Sequence, residues 1–445
     1  MNDEMGFSAG EIHFSQDTVS FDTLFAERGS KVYTLKVYNR SDKNMLIHQL
    51  LLRGRDASPY HMNVDGENGN EFTDITVLPK DSLYVFLKAH FPATDKVNPQ
   101  LNKDSIQFVT DAGSSKVILV GWNQNVQKMP VLESETTTLN PIKPYLVTKE
   151  FLVPQGKKLV IPENTRLYFD LNASLRVAGS LTVDGSLESP VSFFSSNLDT
   201  TYREVPNQWK GIYFEEYSRE NRLSWCSIRN GKSGLVLRPH SEVNVDHVKI
   251  EKMMWSGIHA MNAKLEMENS LVADVRYYGM LLEAGGDYQF NFCTLANYKS
   301  YSLNGFRIDP TLVIVDKLDE KSPIQPMPFQ RISWINSIVE GPFSSEIDIR
   351  DSESASDVTR FDHCLIKANL SLSNEQIEGS VVSEGNSFEN SEESNYHLSE
   401  ESLAKGMGRE MSAKIWLDLE GNVRGEDGRY DVGCYRWFAP KEEEN

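Results

Sequence analysis

The chain has no basic block. Of its 445 residues 64 are acidic and 45 basic, a formal charge of −19 spread along the sequence, so no stretch can follow a phosphate backbone and nucleic acid is not an expected partner. It has no apolar run approaching the roughly 18 residues of a membrane-spanning helix. The start "MNDEMGFSAGEIHF" also lacks the basic and apolar regions of a secretory signal. Taken literally that start reads as cytosolic, yet a polar, acidic start running straight into strands equally suits a mature exported protein. Cysteine is scarce: Cys226, Cys293, Cys364 and Cys434 lie far apart with no CxxC pair, which argues against a zinc site and a dense disulfide framework. The G-x-S-x-G, P-loop and H-E-x-x-H spacings are missing too. What remains is a chain that is 39% apolar, enough for sizeable cores.

Strand alternation fills the first part. From about residue 14 to 126, "KVYTLKVYN", "MLIHQLLL", "SLYVFLKAHF", "DSIQFVT" and "KVILVGW" alternate apolar and polar between polar turns, which predicts an antiparallel β-sandwich over 1–128. "MPVLESETTTLNPIKP" (129–144) carries three prolines and a threonine run, and reads as an extended linker. From 145 onward the strands become very short: 159–161, 167–169, 175–177, 181–183 and 191–193 sit between glycine, asparagine and proline turns. Strands this short cannot hold a sandwich together, but they can stack as the rungs of a coil.

A period supports that idea. "CSIRN", "HVKIEK", "NSLVAD", "CTLAN" and "NSIVEG" place their central apolar residue at Ile228, Ile250, Val272, Leu295 and Val339, in steps of 22, 22, 23 and 44. Gly234, Gly257 and Gly279, each followed by an apolar residue, keep the same period. Such repeats predict a parallel β-helix over 145–445 with one repeat per rung. Cys226, Ile228 and Asn230 should then face inward together, as should Cys293, Leu295 and Asn297. The cysteines serve as small buried hydrophobes, and Asn230 and Asn297 close turns by bonding to backbone of neighbouring rungs.

Several stretches carry a likeness to known proteins: "PYLVTKEFLVPQGKKLVIPENTRLYF", "QWKGIYF", "YQFNFCTLANY" and the closing "YHLSEESLAKGMG…DLEGNVRGEDGRYDVGCYRW". In these the chain resembles the right-handed parallel β-helix proteins of the pectate-lyase-like superfamily, and more narrowly the secreted or lipid-anchored β-helix proteins of Bacteroidetes-type bacteria. The closing stretch looks like their terminal cap, with Asp418, Gly421, Asn422 and Arg424 in a turn and Asp431, Gly433 and Tyr435 in a strand; Cys434 and Arg436 depart from that pattern. "LPKDSLYVFLKAHF…DSIQFVTDAGSSKVILVGWNQ" is similar to the immunoglobulin-like domains that precede these helices. The resemblance implies export as an outer-membrane or cell-surface lipoprotein, or into the periplasm. The membrane would then be met only through an N-terminal lipid anchor, with which "NDE" after Met1 is compatible.

The most enzyme-like feature is a column of outward residues. With Val243, Val245, Leu265 and Met267 turned inward, Asn244 and Asp246, then Glu266 and Glu268, then Gln289 and Asn291 face outward on adjacent rungs. Neighbouring strands lie about 4.8 Å apart, which could bring Asp246, Glu266 and Glu268 near the roughly 5 Å separation of retaining glycosidases. Any acidic face of stacked strands meets that distance, and neither the lyase calcium–aspartate set with its arginine base nor the polygalacturonase aspartate trio is present. A solvated face is the expectation. In "FDHCLI", His363 and Cys364 are adjacent in a strand and should face opposite sides, so they cannot act as base and nucleophile; the same reasoning separates Asp246 from His247.

Trp209 in "QWKGI" could be a sugar platform, but packing is expected, since the resembling proteins use it near the first rungs. Trp255, Tyr277 and Tyr278 fall at corresponding positions of successive rungs, 22 to 23 residues apart, and as exposed-looking turn aromatics could hold a glycan or a protein. The loop "DGENGNE" (65–71) alternates oxygen ligands as calcium loops do, without their full pattern, and reads as a hairpin tip. Ca2+ is therefore the only ion to consider, and no metal site or cofactor is expected. The acidic "SNEQIEGSVVSEGNSFENSEESN" (373–395) reads as a ragged late rung.

The leading expectation is a non-catalytic exported cell-envelope protein whose β-helix presents an extended surface to a glycan or protein partner. The alternatives are a polysaccharide-active lyase or hydrolase working at the Asp246 face, and an accessory subunit of an outer-membrane assembly.

Overall fold

The computed structural model describes residues 11–299, 309–317, 324–350, 352–369, 373, 375–411 and 416–439. It is all-β and divides into two compact units, one up to Gln127 with the short segment Leu198–Thr200, the other from Lys128 onward.

The first unit holds two five-stranded sheets. One is antiparallel, in the order His13–Phe14, Tyr33–Tyr38, Ser82–Ala89, Tyr60–Val64 and Glu67–Gly69. The other runs Thr18–Phe25, Gly113–Gln124, Gln100–Thr110, Met45–Leu52 and Glu71–Val77, antiparallel except for the Thr18–Phe25 pairing. Alternation decides the packing: Leu35 and Val37, Val85 and Leu87, and Ile106 and Phe108 point into one shared core. Asp65 and Gly66, both at positive φ, make the tight turn of the "DGENGNE" hairpin, as the Asp-Gly pair predicts.

The second unit is a curled parallel sheet. Ile228 pairs with Ile250, Ile250 with Val272, Val272 with Leu295 and Leu295 with Val339. The chain thus returns to the same position once per repeat, and adjacent repeats form three walls of strands. The first wall runs through Val243, Leu265, Tyr288 and Ile332. The second is the Ile228–Val339 column. The third runs through Leu235, Ile258, Met280, Leu312 and Ile347. All these side chains are buried in one elongated core. The 44-residue step proves to be a single repeat with extra chain, because Leu295 and Val339 are direct partners. The sheet also begins earlier than expected: Thr136–Thr138, inside the predicted linker, pairs with Lys158–Val160.

The walls meet at a bend of unusual conformation. Trp225, His247, Asn269, Phe292, Asn336 and His363 all have φ between 45° and 54°, and each follows a residue in the aligned series Ser224, Asp246, Glu268, Asn291, Ile335 and Asp362. A left-handed residue other than glycine costs about 1–2 kcal/mol, so the ladders on both sides must hold each bend. Beside the bend runs a column of small residues. The backbone N–H groups of Val248, Cys293 and Cys364 donate to the hydroxyls of Ser270, Ser337 and Ser380 at 3.0, 3.0 and 2.9 Å. From Ser270 onward serine and cysteine alternate in this column, each of these serine hydroxyls accepting from the N–H of the preceding repeat. Of the two asparagines, Asn297 accepts from Val275 N–H of the preceding repeat at 2.7 Å, whereas Asn230 donates to Arg203 and Val205 carbonyls of a loop.

The closing stretch packs along the side of the second wall. Leu419, Val432, Cys434 and Tyr435, with Phe388, Tyr396 and Leu398, pack on Leu271, Ala273, Ala296, Ile338 and Leu365, which are the outward residues of the second wall over four repeats. Outward positions of earlier repeats are Arg229, Lys249 and Glu251; from Leu271 onward most turn apolar and need a cover. The expected strand around Asp431, Gly433 and Tyr435 is instead a bent segment anchored by single bonds: Cys434 N–H to Thr294 Oγ1 at 2.9 Å and Gly433 N–H to Asn336 O at 2.8 Å. The turn is present. Asp418 is buried and accepts from the N–H groups of Glu420, Asn422 and Arg436. Within 373–395 lie the last parallel strand, Val381–Val382 on Leu365–Ile366, and the start of an antiparallel hairpin.

Candidate functional site

The outward carboxylate column of the first wall has the predicted register: Asn244, Glu266 and Gln289 align, as do Asp246, Glu268 and Asn291. Every carboxylate in it has a near partner. Glu266 lies 3.1 Å from Lys264 Nζ and accepts from Gln289 at 3.5 Å; the bond to Glu266 raises the Lys264 pKa. Glu268 accepts from Asn291 at 3.2 Å, and Asp246 from Asn269 at 3.3 Å. Amide donors from adjacent repeats, and the Lys264 ammonium from Glu266's own strand, hold this column, as on a solvated ladder.

The separation expected between Asp246 and His247 is not observed. His247 Nδ1 lies 2.8 Å from Asp246 Oδ1, at ion-pair distance though outside hydrogen-bonding geometry. The reason is the bend: His247 has φ of 54°, so the two-residue alternation of a strand does not hold across it. Its ring is buried and stacks on Trp225 at 4.0 Å. His363 likewise sits at a bend and not within a strand, with Nδ1 2.7 Å from Asp362 Oδ1. Cys364 turns its buried sulfur to Asp362 O at 3.4 Å, and burial lifts its thiol to about 12. It offers no nucleophile.

The predicted aromatic group forms in part. Trp255 lies 5.4 Å from Tyr277 and 5.3 Å from Tyr278 between ring centroids. Trp255 and Tyr277 are half-buried, and Arg276 sits over the Tyr277 ring at 5.6 Å. Tyr278, expected to be exposed, is only 6% so; it packs with Leu281, Val313 and Val315 in a small cluster on the outside of the third wall, and burial raises its pKa. Trp209 is core: it has no exposed surface, stacks on Phe169 at 4.3 Å, and donates to Arg229 O at 2.7 Å.

The third wall adds a pair that the repeat reading missed. His259 Nε2 lies 2.8 Å from Glu283 Oε2, with both side chains largely buried. His259 aligns with Leu281 and Met261 with Glu283, so the contact is diagonal and 24 residues long. A search at the repeat spacing passes over it, although the alternation after Gly257 in "SGIHAM" already turns His259 outward. Two repeats beyond Glu283, Arg350 contacts Asp348 at 2.5 Å and Asp309 at 3.2 Å. Among the described residues no group of three or more His, Cys, Asp or Glu could hold a metal ion, the "DGENGNE" loop included.

No family model matches the sequence, and no curated protein does. Solved structures similar to parts of it include the PapD-like domain 7 of human CEP192, at 11% identity over 28% of this chain and 95% of that one, TM-score 0.19. The E. coli chaperone DraB is 14% identical over 26% of this chain and 55% of its own, TM-score 0.18. The catalytic domain of a GH87 alpha-1,3-glucanase is 10% identical over 75% of this chain and 82% of its own, TM-score 0.18. None of these likenesses bears on activity.

Proposed function

We propose that the chain is a non-catalytic exported cell-envelope protein, an immunoglobulin-like domain followed by a right-handed parallel β-helix whose outer surface binds a glycan. The observation that carries this reading is the half-buried Trp255–Tyr277 pair, with Arg276 over the Tyr277 ring, beside the Tyr278, Leu281, Val313 and Val315 cluster on the outside of the third wall. Aromatic faces stack on the apolar faces of sugar rings while a guanidinium bonds hydroxyls. The Asp246, Glu266 and Glu268 column, whose carboxylates each meet an amide donor of a neighbouring repeat, fits a polar binding surface. Export is compatible with four thiols that are all free and buried, hence protected in an oxidising compartment. A glycan array with the intact chain tests the reading: Trp255→Ala/Tyr277→Ala should cost about tenfold in affinity. Unchanged binding by that variant, or capture of a protein partner with no glycan bound, sinks it.

A second reading, a polysaccharide-active enzyme, moves from the Asp246 face to His259 and Glu283, a hydrogen-bonded acid–base pair on an outer wall. Turnover of any array glycan that Glu283→Gln abolishes would establish it.

A further inference from the structure

The N-terminal unit carries a surface that the β-helix reading does not use. In the strand Ser82–Ala89, Val85, Leu87 and Ala89 are fully buried, while Tyr84 and Phe86 on the other side are 42% and 40% exposed. The solvated face of an antiparallel sheet normally carries polar residues. Here two aromatic rings occupy successive outward positions, with centroids 6.4 Å apart and planes only 25° apart. They form a shallow platform.

The platform is bordered by cations and amides. Lys36, opposite Tyr84 in the neighbouring strand, holds its ammonium 5.0 Å from the Tyr84 ring. On the other side His61 pairs with Lys88 and Asn63 with Phe86. Asn63 donates to Asn68 at 3.0 Å, which fixes both amides at the rim. Val32, His61, Asn63, Asn68, Phe86 and Lys88 line a depression of about 400 Å³, within the size range of ligand clefts. Charge sets this face apart: the outward positions of Tyr33–Tyr38, Tyr60–Val64 and Ser82–Ala89 include lysine and histidine and no carboxylate, in a chain of net charge −19. A neutral ligand would have no use for that contrast.

We infer that this face binds an acidic oligosaccharide, two neighbouring sugar rings lying on Tyr84 and Phe86 and their carboxylates meeting Lys36 and Lys88. Stacking accounts for the aromatics, charge complementarity for the lysines, and hydrogen bonding to sugar hydroxyls for Asn63 and Asn68. The inference is independent of the Trp255–Tyr277 surface, since it rests on other residues in another unit.

Calorimetry with the full chain tests it, using oligogalacturonate, oligoalginate, a neutral xylo-oligosaccharide and poly-glutamate as probes. Binding to at least one acidic oligosaccharide is expected. Tyr84→Ala/Phe86→Ala should weaken it about tenfold, and Lys36→Gln/Lys88→Gln should weaken it and flatten its salt dependence. All four side chains are at the surface, so circular dichroism should show unchanged folding. No binding to either acidic oligosaccharide, equal affinity for the neutral one, preference for poly-glutamate, or an undiminished affinity in the aromatic variant would each overturn the proposal.

Discussion

A methyl group added to Gly257 would lie 2.3 Å from Cγ1 of Val272 and 2.6 Å from the carbonyl oxygen of Gly279. Gly234 stands in the same relation to Ile250, and Gly279 to Leu295. The glycine column of one wall and the apolar column of the next are therefore two halves of one packing motif. Gly257→Ala should destabilise by about 1–3 kcal/mol through overpacking, while Gly385→Ala, where a Cβ meets nothing within 4 Å, should stay within about 0.5 kcal/mol. Chemical denaturation of the two variants measures the contrast, and equal effects would refute the interlock.

The four cysteines are all buried and unpaired. Burial raises every thiol, that of Cys434 to about 12 and that of Cys293 well above its ordinary value. An aromatic disulfide reagent at pH 8 should label none of them in the folded protein and all of them in guanidinium. Rapid labelling of any thiol under native conditions would mean that its repeat opens readily.

Asp274 and Glu340 are buried beneath the C-terminal segment, where Asp274 bonds the Tyr396 hydroxyl and Glu340 accepts from Ser387. Burial raises both carboxyls above their ordinary range. For a raised folded pKa the stabilising contribution is complete below the unfolded value, near pH 4, and is lost as pH climbs through the folded value. Asp274→Asn/Glu340→Gln should therefore gain Tm relative to the parent as pH rises from 4 to 8. Calorimetric scans across that range check it; a difference that is constant with pH would contradict the assignment.

Trp209 and Trp255 should separate cleanly. Trp209→Ala removes a fully buried ring stacked on Phe169 and should cost about 3–5 kcal/mol. Trp255→Ala removes a half-buried ring and should cost about 1 kcal/mol. Denaturant titration of each variant reads the ranking, and a reversed order would mean that the roles assigned to the two tryptophans are exchanged.

Much of this architecture is legible because repeats and alternation are local rules. The spacing of Ile228, Ile250, Val272, Leu295 and Val339 is the pairing register itself, and inward turning of Val243 and Leu265 places Glu266 and Glu268 without reference to anything distant.

Less legible is whatever depends on a bend or on extra chain. A left-handed φ at His247 brings its ring to Asp246, because backbone rotation there is set by ladders from neighbouring repeats and not by the residue's own preference. The 44-residue step closes as one repeat because Leu295 and Val339 pair, and loop closure grows only slowly in cost with length. The closing segment packs along the side of the sheet because Leu271, Ile338 and Leu365 there present apolar area that water disfavours. The His259–Glu283 contact arises on a diagonal between repeats, a neighbour relation that exists only once the walls are stacked. Residue order thus carries the period, the register and the sense of each side chain within a strand; bends, covers and diagonal partners come from the assembled sheet, whose hydrogen-bond ladders outweigh any local preference of a few kcal/mol.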